Sequence, residues 1–158
     1  MALEQGKKAP AFTAPTQGDG KFAMKDAAGS WLVLYFYPKD NTSGCTAQAC
    51  DFRDNMKRLA KADVQVVGVS PDSPKSHDNF TSKHDLNFTL VSDVDKKVCE
   101  KYDVWKEKSM YGRKYMGVVR STYLINPKGK IVAVWEKVKV KGHVDAVIAE
   151  LEEQGVSV

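Results

Sequence analysis

Two short, almost wholly apolar runs constrain this chain more than any other feature: Trp31-Leu-Val-Leu-Tyr-Phe-Tyr37 and Val64-Gln-Val-Val-Gly-Val-Ser70. A strand with one face in water alternates apolar and polar residues, and these runs do not. They predict strands buried on both faces, as in a largely parallel sheet sandwiched by helices. At seven residues each they fall far short of the roughly 20 needed to span a bilayer. Between them Cys45, Ala49, Phe52, Met56 and Leu59 recur at helical spacing. That stripe predicts an amphipathic helix running to about Ala62 and packed on the sheet.

The flanking segments extend the alternation. Phe12–Pro15 and Lys21–Met24 surround Gly18-Asp19-Gly20 and read as an opening hairpin. Pro74–His84 has proline in its first turn and reads as a helix. Phe88–Asp93 reads as a short strand and Asp95–Tyr102 as a helix. Arg120–Asn126 and Ile131–Glu136, joined by Pro127-Lys-Gly-Lys130, read as an antiparallel hairpin, and Val144–Glu153 as a closing helix. The order predicts an α/β fold, a central mixed β-sheet flanked by helices with an N-terminal β-hairpin. With no repeat or low-complexity linker, residues 1–158 read as one domain.

The 24 Lys/Arg and 20 Asp/Glu leave a net charge of +4, with 13 Lys/Arg against four Asp/Glu between Lys96 and His143. Those lysines are scattered and form no arginine-rich block, so the expectation is a solvated surface without nucleic-acid binding. Three cysteines are too few for a disulfide scaffold, and the odd count fits a reducing compartment. The N-terminal Met1-Ala-Leu-Glu-Gln-Gly-Lys-Lys8 shows neither a secretory nor a transit pattern, so a cytoplasmic protein with no membrane association is expected. His77, His84 and His143 have no metal-ligand spacing, so no metal site is expected. Trp31, Trp105 and Trp135 read as core residues.

Cys45 falls where a buried strand has ended and a helix begins. Ligands of open α/β sheets gather at that edge, and free N–H groups at a helix start stabilise a thiolate. This position favours a reactive thiol over a packed one. Cys50 shares a polar face with Arg53, Asp54 and Lys57, where packing does not account for it, which favours a redox partner for Cys45. Residues five apart in a helix are separated by about 7.5 Å of rise and about 140° of rotation. A disulfide needs Cα atoms within roughly 4.4–6.8 Å, so the two can bond only after the segment from about Ser43 to Cys50 unwinds. Cys99 lies beside the apolar face set by Val98 and Tyr102 and reads as packing.

Pro38, Thr42 and Cys45 resemble the signature of the peroxiredoxins, thiol peroxidases with Pro, three residues, Thr, two residues, Cys. The Cys45–Cys50 pair followed by Phe52-Arg-Asp54 resembles the bacterioferritin comigratory protein or peroxiredoxin Q branch, as do Asn87–Asp93, Met110–Gly117 and Arg120–Ile125 in that order. Ser43, Gln48 and Asp103 depart from it, standing where proline, glutamate and glycine are common.

The resemblance implies a thioredoxin-like fold and a peroxidase acting on hydrogen peroxide and organic hydroperoxides. Cys45 would become a sulfenic acid and Cys50 would resolve it as an intramolecular disulfide. Thioredoxin, or else glutaredoxin or glutathione, would recycle it, with no cofactor and no metal, in a monomer. Lowering a thiol pKa from about 8.5 to about 6 raises the thiolate fraction roughly 30-fold, while lost nucleophilicity takes back about tenfold. Most of the rate must then come from positioning and charge stabilisation. By resemblance those fall to the Thr42 hydroxyl bridging thiolate and peroxide, the Arg120 guanidinium, the Gly44 and Cys45 N–H groups, and Pro38 as a shield. The alternatives are a one-cysteine cycle with an external thiol, and a thioredoxin-fold binding or holdase protein without turnover.

Overall fold

The computed structural model describes residues 3–158. Strands β1 (Thr13–Pro15) and β2 (Lys21–Ala23) form the N-terminal hairpin, with Gly18 and Asp19 in the left-handed region at φ 69° and 55°. A single 3-10 turn, Met24–Ala27, follows. The body comprises β3 (Trp31–Phe36), α1 (Ser43–Lys61), β4 (Val64–Ser70), α2 (Pro74–His84), β5 (Thr89–Ser92) and α3 (Lys97–Lys101). After it come β6 (Trp105–Met110), β7 (Arg113–Val118), β8 (Ser121–Ile125), β9 (Ile131–Trp135) and α4 (His143–Glu153).

The central sheet has the order β5-β4-β3-β8-β9. β3, β4 and β5 are parallel, joined through α1 and α2, while β8 and β9 are antiparallel. The two apolar runs are thus adjacent strands near the middle, with Val33 opposite Val66 and Tyr35 opposite Gly68. Their residues divide by parity, as the period of a strand requires. Leu32, Leu34, Phe36, Val67 and Val69 pack with the N-terminal hairpin and α3. Val33, Tyr35, Tyr37, Val64 and Val66 pack with α1, α2 and α4.

The helical stripe is buried as its spacing predicts, except that Met56 is only partly covered. Trp31, Trp105 and Trp135 lie at the margins of the core, half-buried. Cys99 is fully buried, and its N–H donates to the Asp93 carboxylate at 2.7 Å. Burial, then Asp93, pushes its thiol far above the ordinary range. The β6–β7 arm has no counterpart in the sequence reading. It is a separate two-stranded ribbon whose residues from Met110 to Met116 are all exposed. Among the described residues no helix is long and apolar enough to cross a membrane.

Candidate active site

β3 ends at Phe36, Tyr37 still donates its N–H to Val69 O at 3.0 Å, and the chain then turns at Pro38 towards α1. Asn41 takes the left-handed conformation at φ 63°, reversing the chain into Thr42, the N-cap. The first helical bond of α1 runs from Thr46 N to Thr42 O at 2.8 Å. The N–H groups of Ser43, Gly44 and Cys45 therefore have no acceptor within the helix and form its positive end.

Cys45 sits there, 1% exposed, with its sulfur 3.3 Å from Nη2 of Arg120. Arg120 lies just ahead of β8, whose pairing with β3 brings the guanidinium across the sequence to the helix start. Its Nη1 donates to Gln48 Oε1 at 2.6 Å, so a fully buried glutamine aims the arginine at the sulfur. Gly44 makes room for it: a Cβ there would stand 3.2 Å from Nη2. Lys108 is a further nearby cation, half-buried and donating to Val118 O at 3.0 Å. Burial lowers its pKa and the Arg120 charge adds to the effect, while Cys45 acts the other way. Beneath the sulfur, Tyr35 stacks on Phe52 at 4.8 Å and on Tyr37 at 5.5 Å. Burial foremost, with the Cys45 and Asp40 charges next, raises the Tyr35 pKa and keeps its hydroxyl protonated.

Of the residues expected at the site, Cys45, Gly44 and Arg120 meet directly, and Pro38 and Thr42 lie on the adjoining loop. Thr42 is exposed and its hydroxyl donates to Lys39 O at 2.8 Å. That proton is committed to the loop, which leaves the oxygen lone pairs of the hydroxyl as acceptors. Cys50 is half-buried on the same unbroken helix, and all three cysteines are free thiols. The geometry is that of a reduced, helix-intact state.

Two features escaped the sequence reading. Gln48 was noticed only as a departure from the family pattern, although a polar residue next to an apolar stripe raises the question of its partner. The second is a network behind the loop. Asp40, 5% exposed, accepts from Tyr37 Oη at 2.6 Å and Ser76 Oγ at 2.8 Å, and its Oδ2 lies 2.7 Å from His77 Nδ1. His77 Nε2 lies 2.9 Å from Val91 O, and Asp72 accepts from Asp40 N and Ser70 Oγ. Asp40, Asp72 and His77 are close enough to suggest a cation site. Both ring nitrogens already face oxygen partners, however, so the group reads as a structural network.

Residues 5–134 match the model of the AhpC/TSA family. A putative peroxiredoxin bcp of Coxiella burnetii is 50% identical over 151 residues, covering 96% of this chain and all of the relative. Peroxiredoxin Bcp of Bacillus subtilis is 44% identical over 153 residues, covering 97% and 98%. The chain belongs to the AhpC/TSA family, in its Bcp/peroxiredoxin Q branch.

Solved structures of the branch agree with this. A serine variant of peroxiredoxin Q from Xylella fastidiosa superposes with a TM-score of 0.93 at 38% identity, covering 98% of this chain and 99% of the other. A bacterioferritin comigratory protein of Xanthomonas campestris, studied for alkyl peroxide reduction through trapped intermediate and ligand complexes, gives 0.86 at 46% identity, covering 90% and 91%. The mixed sheet with flanking helices is the thioredoxin-like fold of these peroxiredoxins. The protein is a thiol-dependent peroxidase, an oxidoreductase that takes a peroxide as substrate and a thiol as reductant.

Proposed function

We propose that Cys45 is the peroxidatic cysteine and Cys50 the resolving cysteine of an atypical two-cysteine cycle within one domain spanning residues 1–158. The observation that carries it is the Cys45 sulfur at the open helix start, 3.3 Å from an arginine that Gln48 holds in place. The Cys45 thiolate attacks one peroxide oxygen, forming an S–O bond as the O–O bond breaks. The departing oxide takes a proton and leaves as water or an alcohol. Arg120 and the Gly44 and Cys45 N–H groups stabilise the charge spreading over S–O–O, Thr42 accepts the peroxide O–H, and Pro38 shields the sulfur.

Cys50 then displaces the sulfenic hydroxyl as water and forms the disulfide. Cys45 and Cys50 stand on the first turns of α1, so that step proceeds by unwinding from Ser43 to Cys50. A dithiol returns both sulfurs to thiols, and thioredoxin at about −270 mV suits the task. We place the enzyme in the cytoplasm as a monomer, acting on hydrogen peroxide and organic hydroperoxides.

The test is mass mapping after one equivalent of peroxide, alongside peroxide turnover with a thioredoxin system. Wild type is expected to give a Cys45–Cys50 linkage and steady turnover. Cys45→Ser is expected to abolish turnover, and Cys50→Ser to undergo one oxidation and then over-oxidise. Full cycling by Cys45→Ser would overturn the assignment. Sustained cycling by Cys50→Ser would instead favour an external resolving thiol.

A further inference from the structure

The loop from Lys39 to Thr42 has one buried residue, Asp40; Lys39, Asn41 and Thr42 are all exposed. Its attachment to the body therefore depends on what Asp40 binds. The backbone N–H of Asp40 is held by Asp72 at 2.8 Å, and its carboxyl group faces Tyr37, just past β3, and Ser76 and His77 from α2. His77 has no exposed surface and spans the gap from Asp40 to the Val91 carbonyl on β5.

A neutral imidazole has one donor and one acceptor nitrogen. The two His77 nitrogens face the Asp40 carboxyl group and the Val91 carbonyl, so Nε2–H donates to the carbonyl and one proton is shared between Nδ1 and Oδ2. His77 and Asp40 thus form a buried hydrogen-bonded pair, with Tyr37, Ser76 and Val91 filling the remaining positions and Asp72 as the neighbouring carboxylate. Removing one member leaves buried polar atoms of the other without a hydrogen-bond partner, which disfavours that arrangement.

The lock adjoins the moving part of the cycle. Asp40 precedes Thr42 by two residues, and the segment that must unwind begins at Ser43. We infer that His77 is a positioning residue acting through Asp40. It fixes the Pro38–Thr42 loop and so favours the intact helix start that meets peroxide over the unwound form that makes the disulfide. This rests on Cys50 as the resolving cysteine. A residue that only supports the fold would slow both steps or neither. A lock on the loop moves them in opposite directions, because loosening it harms the peroxide site and eases the unwinding.

The experiment is rapid mixing of the reduced full-length protein with hydrogen peroxide. The second-order oxidation of Cys45 and the first-order closure of the disulfide are followed by quenching, thiol alkylation and mass spectrometry. In His77→Leu, oxidation is expected to slow about tenfold and closure to speed up at least threefold. Tyr37→Phe keeps the ring packing and removes one hydrogen bond to Asp40. It is expected to shift both steps in the same directions by about threefold, a smaller effect because Asp40 keeps its bonds to Ser76, His77 and Asp72. If His77→Leu does not fold, Tyr37→Phe and Ser76→Ala decide the question.

Unchanged rate constants in the folded variants, or two steps that slow together, would overturn the role of His77. A wild-type protein with no closure step would refute Cys50 as resolver. The opposed effect inferred for His77 then has no second step to act on and is overturned with it.

Discussion

Gly44→Ala should make this protein more stable and slower. Gly44 has ordinary helical backbone at the second position of α1, so alanine meets no conformational strain. Glycine in a helix interior costs about 0.8–1.0 kcal/mol relative to alanine, and an early position should recover part of that. The new Cβ would stand 3.2 Å from Arg120 Nη2 and 3.9 Å from its central carbon. Relief needs a shift of roughly 0.3–0.4 Å, cheap for the fold because only the end of a flexible side chain moves. The same atom is the one 3.3 Å from the Cys45 sulfur, and Gln48 restrains the other guanidinium nitrogen.

A hydrogen bond to a charged group contributes about 1.5–3 kcal/mol, and its partial loss should cost about 1 kcal/mol of transition-state stabilisation. At about 1.4 kcal/mol per tenfold, the second-order rate constant with hydrogen peroxide should fall about fivefold. Stopped-flow oxidation gives the rate and a thermal melt the stability. A variant that melts no lower than wild type and reacts at an unchanged rate would refute the claim that this glycine exists to seat the arginine.

Gln48→Leu removes the anchor of Arg120 together with a buried amide nitrogen that has no partner among the described residues. Stability should change by less than about 1 kcal/mol while peroxide oxidation slows about tenfold, read by melting and stopped flow. Thr42→Val should slow the same step at least tenfold and Thr42→Ser should restore most of it, since serine keeps the oxygen; an unchanged valine variant would remove Thr42 from the chemistry. His143 bonds Thr122 at 2.8 Å, and burial foremost, with the Arg120 charge second, depresses its pKa to about 4.

Between about pH 4 and 6.5 the unfolded chain binds the proton that folded His143 refuses, so stability is full above about pH 6.5 and falls as pH drops. The loss from this group should approach about 3 kcal/mol near pH 4, and His143→Gln should flatten the slope in urea melts across that range.

Legibility from sequence followed burial. The two runs are marked by unbroken apolarity and the stripe from Cys45 to Leu59 by helical spacing, and their boundaries agree within a residue or two. The β6–β7 arm pairs Lys106 with Gly117 and Lys108 with Tyr115 outside any core, so no apolar alternation marks it. At the site, Cys45 was readable because helix-start chemistry is local. Arg120 needed a family pattern, for its approach to Cys45 depends on β8 lying beside β3. His77 was weighed only as a metal ligand, because its partner Asp40 lies 37 positions away in a loop with no periodicity.

Phe52 comes two residues after Cys50 and is wholly buried, stacked on Tyr35 and edge-on to Phe88 and His143. On the proposed cycle it acts as a stopper for the opening that a Cys45–Cys50 disulfide requires. Fraying that starts at Ser43 can run to Cys50, but two residues further it would pull an aromatic ring from the core, at about 3–5 kcal/mol by the cost of truncating such a ring. The remaining helix to Lys61 is held again at Leu59. On that cycle, a motion that breaks secondary structure at each disulfide closure is thereby kept to two turns, and the core beyond Phe52 stays in place.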